Sequence, residues 1–327
     1  MPATSNAAQH DGFRRIVVCV DSSEASHCVA EFVRRLAGPL TEITIASVAP
    51  DPQRLIAHTA LSGVDVEVAH KKLLEDAERA IDSLQNLLVD GTAAVRTQVI
   101  DLARETGDAA QTLSRIAAGE AGVDMMIFGI RQYHGLVSWF DPTVTDELSK
   151  LAACAMVVVP AGYASPRDTG LQRVLFAVDG SPASLAAVRI GAMLALPDTQ
   201  MRLVYVVDCA MHHHGLVPAT LLEDAFVKEG NEAITDALRQ LQSLHGVTRP
   251  LISTELIRTK ASADDVPGAL LREAENWNAD LMVMGMHGRR GIVRTYLGSV
   301  PHRVASLTTI PLIEVCDRRG EKSPHVG

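Results

Sequence analysis

The sequence predicts an α/β fold: two tandem doubly wound domains, each on a parallel sheet of five strands. Three observations predict it. Short, near-continuous apolar runs alternate with amphipathic stretches along the chain, the pattern of parallel strands covered on both faces by helices. One unit then recurs, because Arg14-Arg-Ile-Val-Val-Cys-Val-Asp21 returns 158 positions later as Gln172-Arg-Val-Leu-Phe-Ala-Val-Asp179. Finally, 327 residues with 47% hydrophobic content suit two cores of ordinary size rather than one.

In the first half, the strand over 14–21 ends in an acid and is followed by Ser22-Ser-Glu-Ala-Ser26. A helical pattern through Val29, Phe32, Val33 and Leu36 comes next. A second strand is read at 43–48. A long helix then carries Leu73, Leu74, Ala77, Ala80, Ile81, Leu84, Leu87 and Leu88 on one stripe. Strands at 95–100, 125–128 and 155–159 complete the half, with Asp108 ahead of a helix between the first two. The second half keeps step. Gly180-Ser-Pro-Ala-Ser184 leads a helix through Val188, Ile190, Met193 and Leu194, and Pro182 suits its first turn. Strands at 201–206, 252–257, 281–284 and 311–315 follow. A helix carrying Leu222, Phe226, Ala233, Ala237, Leu238 and Leu241 lies between the first two of these, and Asp265 opens another. The polar, turn-rich stretch 161–170 reads as the linker, which sets domains at 13–160 and 171–316.

A formal charge of −9 argues against a nucleic-acid or anionic-membrane binder, and an aromatic share of 4% argues against base-stacking platforms. Any phosphate ligand must then be held by a local arrangement. The five cysteines include no Cys-x-x-Cys pair, and Cys19, Cys154 and Cys316 sit in apolar runs, which predicts buried reduced thiols. Residues 1–12 are small and polar, so no signal peptide is read there. No segment is long and apolar enough to span a bilayer. The expected location is the cytoplasm.

The stretch that carries chemistry lies near the end. Leu281-Met-Val-Met-Gly285-Met-His-Gly288 is followed, after nine residues, by Gly298-Ser299-Val300. A buried strand runs straight into two glycines, where the backbone must turn sharply or admit something close. Gly298-Ser299 then opens a helical pattern with Val300, Val304 and Leu307 on one face. A helix start presents free N–H groups to an anion, Ser299 suits an N-cap, and Arg289, Arg290 and Arg294 lie in the same loop. The alternative is that the glycines only punctuate turns. The pattern is neither a P-loop nor the Gly-x-Gly-x-x-Gly dinucleotide turn.

This spacing, Gly-x2-Gly-x9-Gly-Ser, resembles the nucleotide-binding motif of the universal stress protein family, and both halves resemble that family's domain over residues 13–316. The resemblance implies an adenine nucleotide alpha hydrolase-like sheet of order 3-2-1-4-5 in each half. Ligands in open α/β sheets bind where strand order reverses. Asp179 and Gly285, at the ends of strands 1 and 4, should therefore converge on one crevice. The resemblance further implies ATP as ligand, with magnesium as an optional companion, held at Ala177, Asp179, Val207, Met284, Gly285, His287, Gly288, Gly298, Ser299 and Val300. In this assignment Asp179 faces base and ribose, the Val207 backbone meets the adenine edge, and the glycines with Ser299 hold phosphates. Asp179 is alternatively a helix cap and His287 a solvated loop residue.

The first half departs from the motif. In register, Gln132 stands at Gly288, Pro142 at Gly298 and Thr143 at Ser299. Proline removes an N–H that a phosphate would use, Asp141 adds negative charge, and Trp139 and Phe140 add bulk. One nucleotide per chain is expected, with Asp21 a relic or a cap.

Outside the motif, His212-His213-His214 offers at most two side chains to one metal, His212 and His214. No cysteine spacing supports them, so a polar loop is the ordinary reading. In the family's order the last strand of each half is an edge, and an exposed apolar edge invites pairing. The two halves pairing as an intramolecular pseudo-dimer, with a homodimer of chains as a further option, follows from the resemblance. Three functions stay open. The first is an ATP-binding stress or signalling protein with an unknown protein partner and an output of conformation rather than turnover. For that protein no nucleophile–base pair is visible, so slow ATP hydrolysis is the most it would do. The second is an enzyme of the wider nucleotide-binding α/β class, such as an adenylyl-transferring or pyrophosphate-releasing ligase, although neither His-x-Gly-His nor Ser-Gly-Gly-x-Asp-Ser occurs in the chain. The third is a binding module for a metal or another small molecule.

Overall fold

The computed structural model describes residues 13–21, 25–55, 65–88, 94–118, 122–130, 154–164, 171–196, 198–209, 219–245, 251–260, 264–288 and 299–316. The first half contains β1 (Arg15–Val20), α1 (Ala25–Leu36), β2 (Glu42–Ala49), α2 (Pro52–Leu55), α3 (Val66–Leu88), β3 (Ala94–Asp101), α4 (Ala109–Ala117), β4 (Met125–Ile130) and β5 (Ala155–Pro160). The second contains β6 (Arg173–Ala177), α5 (Pro182–Ala192), β7 (Gln200–Val207), α6 (Ala219–His245), β8 (Leu251–Arg258), α7 (Val266–Asn276), β9 (Leu281–Gly285), α8 (Ser299–Leu307) and β10 (Leu312–Val315).

All ten strands form one sheet of order β3-β2-β1-β4-β5-β10-β9-β6-β7-β8. Each half keeps the order 3-2-1-4-5, and its internal pairs are parallel. The halves meet through β5 and β10, which run antiparallel with Leu312 opposite Val158 and Glu314 opposite Met156. Strands that are edges within a half thus become the centre of the whole. Their residues suit that place, since β5 and β10 are buried throughout. The true edges, β3 and β8, are largely half-buried or exposed.

Successive side chains alternate between faces, and the core follows that alternation. Ile16, Val18 and Val20 join Phe32, Leu84, Ala187 and Leu241 in a cluster that runs across both halves under α1, α3, α5 and α6. Val17 and Cys19 face the other way, into a cluster under α4. A third cluster lies under α7 and α8. Fully buried Leu84, Leu113 and Phe176 each contribute about 1.5–3 kcal/mol of transfer free energy. None of the five cysteines is in a disulfide, and burial pushes the Cys19 thiol far up from its ordinary pKa.

The repeat reaches individual hydrogen bonds. Asp124 Oδ2 accepts from the amides of Arg14 and Arg15, and Asp280 Oδ2 accepts from those of Gln172 and Arg173. Thr41 Oγ1 donates to Phe13 O at 3.0 Å, and Thr199 Oγ1 to Leu171 O at 2.8 Å. Helix starts are capped by side chains that satisfy orphan amides. Asp108 accepts from Gln111 N, Ser181 from Ser184 N and Asp265 from Gly268 N.

Candidate functional site

In the second half the strand order reverses between β6 and β9, where Ala177 pairs with Met284. Beyond β6, Val178 remains tied to β7 through Val204 O. Gly180 then takes a φ of 76°, a left-handed conformation that favours glycine, and the chain turns into α5. Asp179 braces this turn. Its Oδ1 accepts from Ser181 N at 2.9 Å, while its own amide donates to Ser184 Oγ at 3.3 Å. Ser181, not Asp179, caps α5, so the sequence's alternative of Asp179 as the cap gives way to a side-chain turn.

The strand-4 turn lies alongside. Ser181 Oγ donates to His287 O at 3.1 Å, which fastens that turn to the start of α5. A Cβ on Gly285 would fall 2.6 Å from Ser184 N and 2.7 Å from Ala183 C, so this glycine lets the α5 backbone lie against β9. A Cβ on Gly288 would fall 2.8 Å from Asp179 Oδ2. The carboxylate therefore points at the Gly288 turn, and two features far apart in sequence face one another. Met284 is buried, His287 is half-buried and Gly288 is exposed.

The other expected residues are placed less uniformly. Val207 closes β7 and is fully buried; its carbonyl accepts from Thr259 N at 3.1 Å. Thr259 Oγ1 in turn accepts from Cys209 N at 2.8 Å. Thr259 thus fixes the chain leaving β7, a role that sequence reasoning missed. The available signal was a hydroxyl after β8 where the first repeat carries Leu102, whose amide also donates to the strand beside it, at Ala49 O. Ser299 is the first residue of α8, and Val300 is half-buried against the cluster under α7. Gly298, with Arg289, Arg290 and Arg294, lies outside the described residues, as do His212 and His214. Gln132, Trp139, Phe140, Asp141, Pro142 and Thr143 of the first half lie outside them too. Among the described residues no group of three His, Cys, Asp or Glu side chains could hold a metal. A surface groove of about 570 Å³ along α6, lined by residues such as Asp224, Lys228 and Arg239, includes no residue of this crevice.

A sequence profile of the universal stress protein family matches residues 12–160 and again 170–315. The chain belongs to the universal stress protein family. It carries two tandem copies of the domain. A universal stress protein of Methanocaldococcus jannaschii is 32% identical over 150 residues, which covers 44% of this chain and 81% of that protein. Among solved structures, a universal stress protein of Archaeoglobus fulgidus superposes with a TM-score of 0.63 at 14% identity, over 94% of this chain and 97% of its own. A Pseudomonas aeruginosa protein of unknown function gives 0.53 at 15% identity, over 93% and 92%. The structural likenesses show the fold. Among the described residues of this universal stress protein no helix is long and apolar enough to cross a membrane.

Proposed function

We propose that this universal stress protein binds one adenine nucleotide, ATP, in its second domain, and that the bound state changes a surface read by a protein partner in the cytoplasm. The observation that carries the reading is the Asp179 carboxylate directed at the Gly288 turn, where the strand order reverses. A glycine at 288 lets the carboxylate come this close to the turn, since a Cβ there would fall 2.8 Å from Asp179 Oδ2. In this reading Asp179 faces base and ribose beside Ala177 and Val207. Gly288, Gly298 and Ser299 hold phosphates, with Met284, His287 and Val300 around them. Magnesium, if it accompanies ATP, would be held by the phosphates and its own waters, because Asp179 is assigned to base and ribose. The residues present offer binding and orientation, and no nucleophile–base pair stands among those described at the crevice.

Titration with a fluorescent ATP analogue tests the reading. The expected result is saturation at one nucleotide per chain and loss of binding on replacing Gly298 with a bulky residue in a folded chain. Two nucleotides per chain, or full affinity in that variant, would reject it.

A further inference from the structure

Between the two glycines of the second domain stands Met286, and its side chain does not belong to that domain's core. Met286 is fully buried, and it joins the apolar cluster under α4 of the first domain, with Leu113, Ala117, Met126, Cys154 and Met156. Its neighbours in β9, Met282 and Met284, lie in the separate cluster under α7 and α8. The crossing follows from the sheet. β10 is shared, with Glu314 opposite Met156 of β5 on one side and Val315 beside Gly285 of β9 on the other. Because the halves run antiparallel, the outgoing end of β9 arrives at the incoming end of β5. The Met286 amide completes the attachment by donating to Val315 O at 2.9 Å.

We infer that Met286 is a positioning residue for the His287–Gly288 turn, and that the first domain serves as the platform on which the second domain's ligand loop is held. The turn is fixed on two sides at consecutive residues. The Met286 side chain is sunk in the first domain, and the His287 carbonyl is held by Ser181 of α5. A backbone so fixed keeps Gly288 against Asp179 before any ligand arrives, and a preformed site spares the ordering cost of binding. This gives the first domain a role although its own motif departs from the family's. The inference about affinity rests on the nucleotide reading above; the inference about loop position does not.

The test uses the full chain in three variants. Met286→Ala is expected to weaken binding of the fluorescent ATP analogue about tenfold, the scale of losing a preorganised contact, and to speed hydrogen exchange across residues 285–288 without nucleotide. Met286→Leu keeps volume and burial and should restore both. Met126→Ala truncates a methionine equally buried in the same cluster but off the loop. It should lower the melting temperature comparably yet leave affinity and loop exchange near wild type. Unchanged exchange and affinity in Met286→Ala would overturn the inference, as would equal losses in Met126→Ala. Faster loop exchange in Met286→Ala from a wild-type chain that binds no nucleotide would uphold the positioning role and reject the nucleotide site.

Discussion

Gly285 and Gly288 stand three residues apart, and different neighbours hold each of them to glycine. At Gly285 a methyl group would meet backbone, Ser184 N and Ala183 C, which can move only if α5 moves. At Gly288 it would meet the end of one side chain, Asp179 Oδ2, which can swing aside. Gly285→Ala should therefore destabilise the protein by about 1–3 kcal/mol, the usual scale of overpacking. Gly288→Ala should cost about 0.5 kcal/mol or less, as exposed substitutions do, while disturbing the crevice. Urea denaturation midpoints measure the difference, and equal midpoints would contradict it. Both glycines were legible as special from their place after a strand. Which one serves packing was not, because Ser184 lies a hundred residues upstream.

At the scale of the element, the N-terminus of α7 is held by a charge arrangement that pH can dissolve. Asp264 takes paired bonds from the Arg272 guanidinium, at 2.9 and 2.6 Å, and a third from Lys260 N at 2.7 Å. The bonded guanidinium, with that amide, holds the Asp264 carboxyl down at about 2. A folded-state value below the unfolded one means that acid protonates the unfolded chain first. The contribution is thus complete above the ordinary carboxylate range and fades as pH falls through about 4 toward 2. Asp264→Asn should lower stability at pH 6 and flatten its dependence on pH between about 4 and 2, followed by chemical denaturation. An unchanged acid limb would show that the pair does not matter there. The helix itself was readable from Asp265 and its apolar spacing. The Asp264–Arg272 pair was not singled out, although its spacing of eight places both residues on one side of a helix start.

For the whole molecule, the seam decides how the chain behaves. The two domains share one sheet through β5 and β10, and one apolar cluster runs beneath both. Tyr163, just past β5, packs edge-on against Phe32 with ring centroids 6.2 Å apart and ties the start of the linker to α1. Unfolding should therefore be a single cooperative transition despite two repeats. In a Trp139→Phe variant, fluorescence reports Trp277, which lies against the Arg202 guanidinium in the second domain. Its urea curve should coincide with far-ultraviolet circular dichroism of the whole chain. A second, separate transition would show that the seam does not couple the halves.

The sequence by itself determined the repeat, the alternation of strands and helices, an acid at the end of the first strand and a glycine at the end of the fourth. Each of these is written in local periodicity and in turn chemistry within a few residues. The family resemblance implied that the ends of strands 1 and 4 lie side by side and that the last strands of the two halves pair, as β5 and β10 do. Only the tertiary structure decided that Gly285 accommodates α5, and that Met286 leaves its own domain for the core of the other. Those outcomes depend on surfaces brought together from opposite halves of the chain, and no short-range pattern records which buried surface will meet which.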